Sequence, residues 1–72
     1  MRLPLLSGDE IIKIMGKFGY IPVRQRGSHV RLVCPGRNPI TIPRYKEVDR
    51  SLLKKILRDA EITPEEFMKY YK

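Results

Sequence analysis

The hydrophobic period of this chain changes twice, from helical to alternating and back, and that double change constrains the order of its elements. Three helix starts frame it. Ser7 and Glu10 have the spacing of a capping box, in which each side chain satisfies the other residue's backbone N–H, and Leu6 is placed to staple to Ile11. Thr63 and Glu66 repeat the box, with Pro64 at the first helical position and Ile62 placed against Phe67. Asp49 is a third cap, flanked by Val48 and Leu53. The first helix presents Ile11, Ile12, Met15 and Phe18 on one face with Lys13 and Lys17 off it, and Gly19 supplies a left-handed stop. The second presents Leu52, Leu53, Ile56, Leu57 and Ala60.

Between Tyr20 and Pro43 the period is two. Ile21/Val23, Val30/Leu32/Cys34 and Ile40/Ile42 alternate with polar or basic residues, and Gly27 and Pro35-Gly36 punctuate them as hairpin turns. The pattern predicts an α+β fold: helix, three-stranded antiparallel sheet, helix and a short C-terminal helix. One sheet face is covered by the helices and the other is open. At 72 residues the chain supports one core, so residues 1–72 are read as a single domain.

Cys34 is the only cysteine and His29 the only histidine, which leaves neither a disulfide nor a zinc cluster. Cys34 falls on the inward face, where a small buried hydrophobe is expected. A cytoplasmic protein without structural metal or cofactor is expected. The apolar start Leu3-Pro4-Leu5-Leu6 runs at once into Ser7-Gly8-Asp9-Glu10, too short for a signal sequence or membrane span, and is read as part of the fold.

The net charge of +7 is unevenly spread. From Ile11 to Lys46 there are eight basic residues (Lys13, Lys17, Arg24, Arg26, Arg31, Arg37, Arg44, Lys46) and no acidic one, while the flanks hold the other seven basic and all eight acidic residues. A one-signed block focuses a positive field and suits a polyanion.

With Arg26-Gly27 as the two turn residues of the first hairpin, Gln25 pairs with Ser28, Arg24 with His29, Val23 with Val30 and Ile21 with Leu32. That register turns the apolar residues inward and sets Arg24 beside His29 on the open face. Ser28 and His29, adjacent on a pleated strand, point apart and do not make a nucleophile and base. The basic block contains no carboxylate pair, and no glycine-rich phosphate loop precedes a helix, so glycosidase and nucleotide-binding readings fail. One imidazole in a positive field remains. A neighbouring arginine favours the neutral, proton-accepting form of a histidine. RNA brings its own nucleophile, the ribose 2′-hydroxyl, so cutting it requires proton transfer and a stabilised phosphate, for which Arg24, Arg26 and Arg31 are candidates.

Several stretches then combine into a family pattern. Ser7-Gly8-Asp9-Glu10-Ile11-Ile12, Gly19-Tyr20, Arg24-Gln25-Arg26-Gly27-Ser28-His29, Ile42-Pro43, Leu53 to Ala60 and Ile62-Thr63-Pro64-Glu65-Glu66-Phe67 resemble the HicA family of toxin mRNA interferases. The resemblance implies a double-stranded-RNA-binding-like fold, endoribonuclease activity on mRNA in a type II toxin–antitoxin system, and neutralisation by a HicB-type antitoxin. It makes His29 the catalytic residue. Lys13, Lys17, Arg24, Arg26, Ser28, Arg31, Arg44 and Tyr45 are the expected RNA contacts, with no metal. The chain departs from the pattern at Tyr45, where the family often has a second histidine, and at Glu61, where it often has glycine. The first departure removes one candidate proton donor. A non-catalytic RNA-binding module with the same fold and basic face is the alternative, and a DNA-binding partner of a regulator is a second one supported by charge alone.

Overall fold

The computed structural model describes residues 2–71. Its order is α1 (Gly8–Gly16), β1 (Ile21–Arg26), β2 (His29–Cys34), β3 (Arg37–Pro43), α2 (Arg50–Ala60) and α3 (Pro64–Met68). All three helix starts form as the sequence requires. Ser7 and Thr63 each close a reciprocal capping box with Glu10 and Glu66, and the Asp49 carboxylate accepts from the Ser51 backbone N–H at 3.1 Å. The six staple residues Leu6, Ile11, Val48, Leu53, Ile62 and Phe67 are all buried. Gly19 ends the first helical turn-off at φ +102°.

The sheet is a meander in the order β1-β2-β3. Val30, Leu32, Ile40 and Ile42 point inward and meet Ile11, Ile14 and Met15 of α1 and Leu53, Ile56 and Leu57 of α2. The inward set includes Ile14, which the helical spacing had passed over, while Ile12 and Phe18 are half-buried. Cys34 is likewise half-buried rather than enclosed, with its thiol 3.5 Å from the Phe18 carbonyl.

The first hairpin differs from the expected register. The turn residues are Gly27-Ser28, with Gly27 at φ +59°, and Arg26 pairs with His29, Gln25 with Val30 and Arg24 with Arg31. Glycine at the first central position suits a type II′ turn, whereas an Arg26-Gly27 turn would have forced arginine to positive φ. This shift moves the pairing by two, so faces are preserved: Arg24 and His29 share the open face as diagonal rather than direct neighbours. A bulge between Pro22 and Arg24 then shifts the pairing by one and sets Ile21 opposite Val33. One extra residue flips everything before it to the other face. The flip turns Ile21 outward, and Val23 is the bulged residue itself. Expected inside, they are 60% and 56% exposed. The whole of β1 is exposed, even Pro22 opposite Leu32 and Gln25 opposite Val30, because the helices pack chiefly over β3.

Two close approaches tie the layers together. A Cβ on Gly8 would lie 1.9 Å from the Pro43 carbonyl oxygen, so only glycine lets the start of α1 reach the end of β3. At the other end of the sheet, Arg37 donates to the Ala60 carbonyl at 2.8 Å and Asn38 to that of Asp59 at 2.8 Å. They satisfy carbonyls that the last turn of α2 leaves unpaired. Among the described residues no helix is long and apolar enough to cross a membrane.

Candidate active site

The open face of the sheet gathers the residues that matter chemically. His29, the first residue of β2, stands opposite Arg26, with Arg31 two residues along the same strand and opposite Arg24. Odd-numbered positions of β2 face outward because Val30 and Leu32 are drawn into the core. Arg24, Arg26, His29, Arg31 and Thr41 line one shallow concavity. Thr41 is the β3 partner of Arg31, and its hydroxyl accepts from the Arg31 guanidinium at 3.2 Å, which fixes one of the three cations. The concavity thus holds three guanidinium groups, one imidazole and no carboxylate. Its residue types can hold a phosphate and move a proton.

The rim of the site is made by the chain leaving β3. The Tyr45 ring meets the His29 ring edge-on, with centroids 6.1 Å apart and planes at 79°. The turn carbonyl of Ser28 accepts from the Arg44 N–H at 2.6 Å, and the Tyr45 carbonyl accepts from the Gly8 N–H at 2.9 Å. Between them the Arg44 guanidinium donates to both Asp9 carboxylate oxygens, at 2.7 and 3.3 Å, and to the Gln25 amide oxygen at 3.4 Å. The hydrogen bonds from Arg44 hold the Asp9 carboxyl below the usual carboxylate range. Among the described residues no group of three His, Cys, Asp or Glu side chains is arranged to hold a metal ion.

The family described as HicA toxin of bacterial toxin–antitoxin systems matches residues 8–62, from the first residue of α1 to just beyond the C-cap of α2. The chain belongs to the HicA toxin family. Its fold is similar to that of a chain in a toxin–antitoxin complex from Streptococcus pneumoniae, with a TM-score of 0.70 and 28% identity. That likeness covers 79% of this chain and 98% of the other. No curated protein matches the sequence at a significant level.

In this HicA toxin the residues expected to contact RNA fall into three groups. Arg24, Arg26, Arg31 and Tyr45 surround His29, and Ser28 lies beside it in the hairpin turn. Arg44 borders the same site, but its guanidinium is engaged by Asp9. Lys13 and Lys17 stand apart: with Leu6, Glu10, Ile14, Tyr70 and Tyr71 they line a groove on the helical side. Arg37, another member of the basic block, caps α2 and lies 6.0 Å over the Phe18 ring, away from the open face. Thr41, Gln25 and Asp9 were not singled out from sequence. The Pro35-Gly36 loop signals the hairpin, but by pairing Cys34 with Arg37 it would set Arg31 opposite Ile40; a bulge between Leu32 and Cys34 shifts the pairing by one and brings Thr41 there instead. Asp9 has no comparable signal, since its partner is 35 residues away.

Proposed function

We propose that this HicA toxin is a metal-independent endoribonuclease that cuts mRNA, with His29 as its proton-transfer residue. The single observation that carries this reading is one imidazole set among three carboxylate-free arginines on an exposed sheet face. His29 takes the proton of a ribose 2′-hydroxyl, whose oxygen attacks the adjacent phosphorus. The P–O5′ bond breaks, a 2′,3′-cyclic phosphate forms, and the 5′-oxygen leaves with a proton from the Tyr45 hydroxyl or from water. Arg24, Arg26 and Arg31 neutralise the phosphate as charge builds on its oxygens, with Arg31 steadied by Thr41. No metal is needed to make a nucleophile, because the substrate carries it. Ser28 and the more distant Lys13 and Lys17 serve RNA contacts away from the reacting phosphate.

A free cationic nuclease would threaten its host, and the related chain occurs in a toxin–antitoxin complex. The partner of this chain is accordingly a HicB-type antitoxin whose acidic surface covers the His29 face. The test is incubation of the purified protein with single-stranded RNA in excess EDTA. Cleavage to cyclic-phosphate ends is expected. Binding without cleavage over varied pH and RNA sequence would replace this reading with that of a non-catalytic RNA-binding module, and cleavage abolished by EDTA would overturn its metal independence.

A further inference from the structure

We propose that Asp9 is a positioning residue for the candidate site: through its ion pair with Arg44 it holds Tyr45 edge-on against His29. The inference rests on the ribonuclease reading for its consequence in catalysis, but not for its geometry. Tyr45 lies beyond the end of β3, where the ladder no longer fixes the chain. Three contacts replace the ladder there. The Arg44 N–H extends the pairing by one bond to Ser28, the Tyr45 carbonyl is pinned by the Gly8 N–H, and the Arg44 side chain reaches Asp9 in the first turn of α1. Gln25 joins the same guanidinium and in turn donates to the Gly27 carbonyl at 2.9 Å, which ties the hairpin turn into the network. The two residues that flank Arg44 are the β3 partner of His29, Pro43, and its aromatic neighbour, Tyr45. Any swing of Arg44 therefore moves the wall of the site.

The pair is exposed, with side-chain exposures of 45% for Arg44 and 64% for Asp9. Exposed ion pairs add little to stability, so its effect belongs to geometry rather than to folding. Arg44 is then engaged in holding the rim and not free to hold phosphate. Misplacement of a reacting group by about 1 Å can lower a rate about a hundredfold, so a small loosening has a large readout.

His29 is the only histidine, so its ring C–H signals in an NMR spectrum are unambiguous. In the wild type a cross-relaxation peak should join the His29 and Tyr45 rings. Asp9→Asn and Arg44→Gln should each weaken that peak and shift the His29 ring signals, while Asp9→Glu restores them in part. Lys55→Ala, which breaks the separate Lys55–Asp59 pair on α2, should leave both unchanged. On RNA, Asp9→Asn should lower kcat about tenfold to a hundredfold with KM within about twofold, and the double variant should fall no further than either single one. Asp9 also stands in the first turn of α1, where a carboxylate favours the helix, so Arg44→Gln gives an approach that leaves that turn intact. Wild-type ring signals in folded Asp9→Asn and Arg44→Gln would overturn the clamp. Altered ring signals with unchanged kcat would overturn its role in catalysis. A wild type that cuts no RNA defeats the ribonuclease reading, and the ring signals still decide the clamp.

Discussion

Glu61 is the only non-glycine residue at positive φ among the described residues, at +60°, where it ends α2 in the left-handed conformation. A side chain there is strained by about 1–2 kcal/mol, against roughly 0.5–1 kcal/mol of entropy that glycine forfeits on folding. Glu61→Gly should raise stability by about 0.5–1 kcal/mol and the melting temperature by about 2–8 °C. Thermal unfolding checks this, and a lower melting temperature would contradict it. The carbonyls held by Arg37 are backbone atoms and survive the change. The residues read most securely from sequence share a property with these caps: their partners are close by. Ser7 and Glu10, Thr63 and Glu66, and the glycine of the hairpin turn all act within a few residues. Asp9, Gln25 and Thr41 acquire their roles from distant partners, and no spacing rule reaches across 35 residues to Arg44.

The first strand is where local reading and structure separate. Its alternation of Ile21 and Val23 with polar residues looks like a half-buried strand, yet the helices pack chiefly over β3, and the bulge turns Ile21 to the open face. Bulges have no sequence signature as firm as a cap, and this one is consistent with Pro22, which lacks an N–H for the ladder. The open-face placement of Arg24 and His29 nevertheless follows from sequence, because moving the turn by one residue moves the pairing by two and leaves faces unchanged. The two accounts of β1 differ in energy. Ile21→Thr and Val23→Thr should each change stability by no more than about 0.5 kcal/mol, as exposed positions do. Leu32→Ala on β2, fully buried, should cost about 2–5 kcal/mol. Urea denaturation distinguishes them, and a large loss at Ile21 would restore the inward register.

Over the whole molecule, the fold divides a single basic block by use. Arg37 caps a helix, Arg44 clamps a rim, Lys13 and Lys17 line a separate groove, and Arg24, Arg26 and Arg31 converge on His29. Charge counting found the block but not this division, which depends on three-dimensional partners. The carboxylates in these arrangements set the response to acid. The side-chain hydrogen bond from Arg44 lowers the Asp9 titration, that from Ser51 lowers Asp49, and the Thr63 backbone N–H lowers Glu66. Folded values below unfolded ones mean that the stabilisation is complete above the ordinary carboxylate range and is lost as pH falls through the folded values. The melting temperature should therefore hold on the neutral side of about pH 5 and decline modestly below it, with Asp49→Asn, which keeps a cap acceptor, declining less steeply and the exposed Asp9 contributing little. A curve indifferent to pH from 7 down to 3 would contradict this. The central claim concerns His29, and the direct measurement compares RNA cleavage and RNA binding by the wild type and by folded His29→Ala. Cleavage should fall about 10²–10⁴-fold while binding stays nearly intact, because the arginines hold phosphate and the imidazole moves the proton. Equal cleavage by the two proteins would contradict it.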